Sequence, residues 1–311
     1  MNDTVLIGTR GSKLALIQAE RVRAALESKV AGLETEIRVI KTKGDRILDS
    51  PLSRIGGKGL FIREIEEALI EGRIDVAVHS LKDLPTVLPA ELVLGGVLPR
   101  EDPRDALISG RNCGFADLKA GERIGTSSLR RRAQILKANP ELEVIDIRGN
   151  VDTRLEKLEK GLCDALVLAA CGLERAGYAQ IISETLDPEL MLPAVCQGII
   201  GMEVRKQDER INELLAGISD PSTLRIAEAE RIFLHRVEGG CQVPIGCLAT
   251  TGDGRGVVTG LVASLDGTRV VRRTREGKAR NLPRLSDELA EEVLDNGGAE
   301  ILGSIRKHFE G

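Results

Sequence analysis

The 311-residue sequence contains no tryptophan, one tyrosine and four phenylalanines. Its cores must therefore be built from Leu, Ile, Val and Ala, and the stacking platforms of single-strand nucleic-acid binders are missing. A net charge of −4 adds to that exclusion, because general polyanion binders carry a basic surplus, and no nucleic-acid partner is expected. No C-x-x-C pair occurs among the six cysteines (113, 163, 171, 196, 241 and 247), and His79, His235 and His308 stand apart from one another. Zinc fingers, thioredoxin-like motifs and helical metal motifs are poorly supported, and no metal is expected. No apolar run is long enough to span a membrane. Residues 1–8 hold neither a basic region nor a long apolar run, so the chain reads as cytoplasmic without a signal peptide. A disulfide framework is disfavoured there, and most of the cysteines read as core residues.

Apolar residues make up 42% of the chain and charged residues 30%, enough for real cores beneath a well-solvated surface. The length predicts two or three domains. Residues 5–8 read as a buried strand, followed by an amphipathic helix over 13–30 with Ser12 as its N-cap. A strand over 35–42 leads into residues 44–59, a glycine-rich stretch without a clear period that reads as a lid. A helix (61–71) and strands over 74–79 and 92–98 follow.

Near Arg100 the pattern begins again. Ile124-Gly125-Thr126-Ser127-Ser128 echoes Ile7-Gly8-Thr9-Arg10-Gly11-Ser12, and Gly161-Leu162-Cys163-Asp164 echoes Gly72-Arg73-Ile74-Asp75 in the same order. The ordered pair predicts two α/β halves of one plan, each a mainly parallel sheet with helices on both faces. Ligands of such sheets bind at the carboxyl ends of the strands, which here would face each other across a cleft. The chain would cross between the halves near residues 99 and 200. After a charged helix over 222–237, three short strands turned at Asp253-Gly254 and Asp266-Gly267, and helical segments over 285–307, predict a small α+β domain with a three-stranded antiparallel sheet.

Cations and hydroxyls gather where strands turn into helices: Arg10 and Ser12 in the first half, Thr126, Ser127, Ser128, Arg130 and Arg131 in the second. Arg148, Arg154 and Arg175 extend the second set. Helix N-termini and guanidinium forks together make carboxylate or phosphate sites, so a cleft for a polyanionic ligand is expected in a chain that is acidic overall. His79-Ser80-Leu81-Lys82-Asp83 puts an acid and a base at a strand's end, where Asp83 could stabilise a developing cation or merely form a turn before Pro85. Gly56-Gly57-Lys58-Gly59 lacks P-loop spacing. Glu238-Gly239-Gly240-Cys241 displays a thiol on a loop, although a lone cysteine is more often a small buried hydrophobe.

Together, Thr9-Arg10-Gly11-Ser12, Gly56-Gly57-Lys58-Gly59-Leu60-Phe61, His79-Ser80-Leu81-Lys82-Asp83, Arg100-Glu101-Asp102-Pro103-Arg104-Asp105, Gly125-Thr126-Ser127-Ser128-Leu129-Arg130-Arg131, Arg148-Gly149-Asn150-Val151 and Glu238-Gly239-Gly240-Cys241 resemble the porphobilinogen deaminase family, co-linearly from residue 4 to about 250. The resemblance implies two domains like the halves of periplasmic binding proteins, over 1–99 with 200–217 and over 100–199, and a third over 218–311. It implies a monomer that carries a covalent dipyrromethane cofactor on Cys241 through a thioether. Four porphobilinogen molecules would be added in turn, each losing ammonia, to yield hydroxymethylbilane. It casts Asp83, with Lys82, as the catalytic pair that stabilises the cationic azafulvene. Arg10, Ser12, Lys58, Ser80, Thr126, Ser127, Ser128, Arg130, Arg131, Arg148, Arg154, Arg175 and Gln197 would bind cofactor or substrate. Cys196 stands where the family has glycine, which would bring a second thiol close to the cleft, and Arg54 stands where lysine is frequent. The rival reading is a non-catalytic, two-lobed anion-binding module, which offers no reason for Cys241 or for Asp83 beside Lys82.

Overall fold

The computed structural model describes residues 4–42, 62–237 and 243–310. The predicted lid over 44–59, with Arg54 and Lys58, and the loop carrying Cys241 lie outside them. The chain divides into two compact units, Met1–Glu101 with Ile199–Leu224, and Asp102–Gly198 with Arg225–Gly311.

In the first unit, β1 (Val5–Thr9) pairs in parallel with β2 (Thr35–Val39) and β3 (Val76–Ser80). Between β1 and β2 runs α1 (Lys13–Lys29), whose N-cap Ser12 accepts from the Ala15 amide at 3.3 Å. A second helix, α2 (Arg63–Ile70), precedes β3, and β4 (Leu92–Val97) forms the far edge. Val5, Ile7, Val76 and Val78 alternate inward against Ala19, Val22 and Leu26 of α1, all nearly fully buried. Each Val, Ile or Leu side chain so removed from water contributes about 1.5–3 kcal/mol.

In the second unit β5 (Asp105–Ser109), β6 (Arg123–Gly125), β7 (Glu143–Ile145), β8 (Ala165–Ala169) and β9 (Glu184–Thr185) form a sheet of order β7-β6-β8-β5-β9. Helices α3 (Leu129–Ala138), α4 (Val151–Glu159) and α5 (Ala170–Arg175) cover it. With β10 (Ile200–Arg205) added, the first sheet reads β2-β1-β3-β10-β4, the same plan.

The two α/β halves therefore match the expected architecture, with one correction. Neither sheet is mainly parallel in its pairings. β10 runs antiparallel to both β3 and β4, and β5 antiparallel to both β8 and β9. The reason lies in the crossovers, since each half takes this backward strand from the chain as it arrives from the other half.

The internal echo extends to single hydrogen bonds. Asp75 Oδ2 accepts from the Leu6 amide at 3.0 Å, and Asp164 Oδ2 accepts from the Arg123 amide at 2.8 Å. Three residues earlier in each half, Gly72 and Gly161 both hold φ at +70°. That left-handed backbone favours glycine, which explains why the repeat keeps it.

The second unit also contains β11 (Ile245–Gly252), β12 (Arg255–Ala263) and β13 (Val270–Lys278), an antiparallel three-stranded sheet turned at Asp253-Gly254 as expected. Its helices α8 (Leu282–Val293) and α9 (Ala299–Glu310) break at Gly297, where φ is +103°. Between the β10 region and this sheet lie α6 (Glu209–Ala216) and α7 (Pro221–Arg236). Within the second unit, fully buried Glu230 of α7 accepts from the Cys196 amide at 2.5 Å and the Ala249 amide at 2.8 Å. The Cys247 amide donates to Pro193 O at 3.1 Å, so the small sheet is docked on the segment that returns from the α/β half. No helix among the described residues is long and apolar enough to cross a membrane.

Candidate active site

In the first unit the predicted residues collect at the carboxyl ends of two adjacent strands. Arg10 and Ser12 follow β1. Ser80 ends β3, and a single 3-10 turn, Leu81–Asp83, then carries Lys82 and Asp83. Leu81 is the buried peg of that turn, and its amide donates to Ile199 O at 2.9 Å. With the turn pinned from below, the Asp83 side chain faces solvent and makes no hydrogen bond or ion pair among the described residues. Gln18, which the sequence did not single out, is buried on α1 and donates to Ser80 Oγ at 2.7 Å. It fixes one end of the β3 turn.

The second unit gathers its own set at the ends of β6, β7 and β8. Several hydroxyls have local duties. Ser128 caps α3, accepting from the Arg131 amide at 3.4 Å, and Thr126 Oγ1 accepts from the Ser128 amide at 3.2 Å. Ser127 Oγ donates to Ile147 O at 2.8 Å. Asn150 caps α4, accepting from the Thr153 amide at 2.8 Å. Through that cap α4 begins beside Arg148, and Arg154 Nε turns back to Gly149 O at 2.9 Å. Arg148 Nε donates to Asp146 Oδ2 at 3.0 Å.

The electrostatics here are lopsided. Burial, with repulsion from Arg131 and Arg148, pushes the Arg154 guanidinium down to about 10 despite attraction from Asp146. Burial works against the Asp146 charge, yet Ser127, Arg148 and Arg154 hold its carboxyl below the usual range. Arg175 is likewise pushed down by burial, and its Nη2 donates to Gly198 O at 3.2 Å. Arg154 is thus a largely buried cation with two further guanidiniums near it and one carboxylate, Asp146, attracting it. A ligand carboxylate beside Arg154 would favour its charged form, and a dipyrromethane, with an acetate and a propionate on each ring, has that chemistry.

Arg130 and Arg131 sit differently from the rest. Both are buried, and both donate to Asp105, at 2.7 Å from Arg130 Nη1 and 2.7 Å from Arg131 Nη2. Gln197 Nε2 reaches the same carboxylate at 2.9 Å. Asp105 lies in one of the quoted motifs, but the sequence offered no role for it. Its signal was a carboxylate opening an apolar strand, Asp105-Ala106-Leu107-Ile108, which requires a buried cationic partner.

Cys196 is 1% exposed and its Sγ is directed at Ala227 O, so its thiol is packed inside the second unit. The other described cysteines are buried or half-buried free thiols, and burial pushes Cys163 up to about 11.

Comparison with known proteins places this geometry. The profile of porphobilinogen deaminase, dipyrromethane cofactor-binding domain, matches residues 5–213, and that of the porphobilinogen deaminase C-terminal domain matches 224–295. The porphobilinogen deaminase of Syntrophobacter fumaroxidans is 48% identical over 98% of this chain and 99% of that protein. Those of Geobacter metallireducens and Nitratidesulfovibrio vulgaris are 51% and 50% identical, over 96% and 97% of this chain and 94% and 96% of theirs. Among solved structures, the periplasmic VFT2 domain of BvgS from Bordetella pertussis aligns at 14% identity and a TM-score of 0.41, covering 70% of this chain and 86% of that one. It is the strand order rather than this loose likeness that defines the fold here. The chain belongs to the porphobilinogen deaminase family and contains that family's dipyrromethane cofactor-binding domain.

Proposed function

We propose that this chain polymerises porphobilinogen into the linear tetrapyrrole hydroxymethylbilane, with loss of ammonia at each addition. The observation that supports this reading at the site is the buried cation Arg154 beside Arg131 and Arg148: burial first, then those two guanidiniums, push it down to about 10 against the attraction of Asp146. A substrate with two carboxylates per ring would pair with that cation. When bound through Cys241, the dipyrromethane supplies the pyrrole carbon to which the first substrate ring is joined. Arg10, Lys58, Arg130, Arg131, Arg148, Arg154 and Arg175 form the cationic set that takes the carboxylates. Ser12, Ser80, Thr126, Ser127, Ser128 and Gln197 complete the hydrogen bonding.

Asp83 is the catalytic residue in this reading. Loss of ammonia leaves positive charge on the substrate's pyrrole, and a fixed carboxylate stabilises that charge without reorganising. Lys82 sits next to it and tunes its field. The reading includes three domains, 1–99 with 200–217, 100–199 and 218–311, and a cytoplasmic monomer that binds no nucleic acid.

Intact mass tests the reading first. The purified chain should exceed its sequence mass by one dipyrromethane, and Cys241→Ser should lack the adduct. A protein with neither adduct nor consumption of porphobilinogen would refute the proposal. Asp83→Glu should retain the adduct and lose at least a hundredfold in kcat, about 2.7 kcal/mol of transition-state stabilisation. Turnover unchanged in that variant would remove Asp83 from the catalytic role.

A further inference from the structure

Three side chains assigned to ligand binding, Arg130, Arg131 and Gln197, converge on one carboxylate that has no assigned role. We propose that Asp105 is a positioning residue of the site: it commits Arg131 to the protein and turns the fork of Arg130 toward the ligand. This rests on the function proposed above.

The hydrogen bonds are unequal in the way this division of labour requires. Arg131 spends every side-chain nitrogen on the protein: Nε and Nη2 meet Asp105 Oδ1 at 3.1 and 2.7 Å, and Nη1 meets Val167 O at 3.0 Å. Arg130 commits only Nη1, to Asp105 Oδ2 at 2.7 Å and Leu192 O at 2.7 Å. Its Nε and Nη2 donate to no acceptor among the described residues. A guanidinium clamped at one nitrogen presents its other edge, which is the bidentate edge for a carboxylate. Gln197 completes the clamp. Besides Asp105, its Nε2 donates to Pro103 O at 2.8 Å, tying the return segment to the start of β5.

A buried ion pair could instead serve only the fold, so the test must separate the two roles. Asp105→Glu keeps the charge and pushes both guanidiniums outward by one methylene. Positioning predicts a KM for porphobilinogen raised at least tenfold with kcat within threefold, and a smaller share of chains carrying the adduct by intact mass. A purely structural role predicts a lower Tm with KM within twofold of the parent, and that result overturns the proposal. Gln197→Leu is the second variant, since it removes a contact to Asp105 without stranding a charge. Its KM should rise at least threefold. Should neither variant fold, Asp105 serves the fold and the proposal fails. A parent protein without adduct or turnover refutes the function itself, whereas a sound parent with unchanged variants refutes only the role of Asp105.

Discussion

Cys196 shows what one side chain can cost in the wrong backbone. Its φ of +59° lies in the left-handed region, where a Cβ crowds the following carbonyl. The residue is sealed under Glu230, which accepts from its amide. Glycine normally destabilises relative to alanine by about 0.5–1 kcal/mol, but at this φ the order reverses. Cys196→Gly should therefore be more stable than Cys196→Ala by about 0.5–1 kcal/mol in urea unfolding. The opposite ranking would mean that the strain is absent. Motif comparison shows only that position 196 holds a cysteine in a glycine position; that its thiol is buried is decided by packing.

Helix starts do double duty at the level of elements. Ser12, Ser128 and Asn150 each cap a helix, and each stands beside a cation assigned to the ligand. The cap orients the first turn, and the first turn aims the arginine. Asn150→Ala should cost about 1 kcal/mol of stability through the lost cap. Because Arg154 follows on the same turn, KM for porphobilinogen should rise as well. A Tm shift with KM unchanged would separate the cap from the site. The cap at Ser12 was legible beforehand, since Ser12 stands directly before helical periodicity. The destination of Arg130 and Arg131 was not. Local spacing puts them at a helix N-terminus, but only packing decides that they point inward at Asp105, and Asp105 is distant from both in sequence.

Taken over the whole molecule, the titrating acids pull in two directions. Burial opposes the Asp105 charge, yet Arg130 and Arg131 outweigh it and hold the carboxyl well below the usual range. Asp146 and Asp164 are lowered too, Asp164 chiefly by hydrogen bonds from Arg123. A lowered carboxylate adds stability that is present above its unfolded pKa, about 4, and is lost as the pH falls through the folded value. Glu66 is the reverse case. Burial, then the nearby charge of Glu203, raise its pKa, while His79 partly offsets them. Its contribution is present at low pH and lost as the pH rises through its raised value. Thermal melts should therefore show Tm falling below about pH 4 in the parent chain. Glu66→Gln should raise Tm by roughly 1–2 °C at pH 8, a small gain because the group is half-exposed and screened, and by nothing at pH 4. A gain at pH 4 equal to that at pH 8 would contradict this assignment.

Residue patterning alone was enough for the two echoing α/β halves, the three-stranded sheet, the caps and the family motifs, because these depend on neighbours a few residues away. Periodicity sets which face is buried, and turn residues set where strands end. It could not reveal the backward strand in each sheet, which exists only because the chain crosses between halves and returns. Nor could it reveal that Gln18 reaches Ser80, or that Arg130, Arg131 and Gln197 meet at Asp105. A buried charge must find its partner wherever the fold delivers one, and that pairing is decided by tertiary packing.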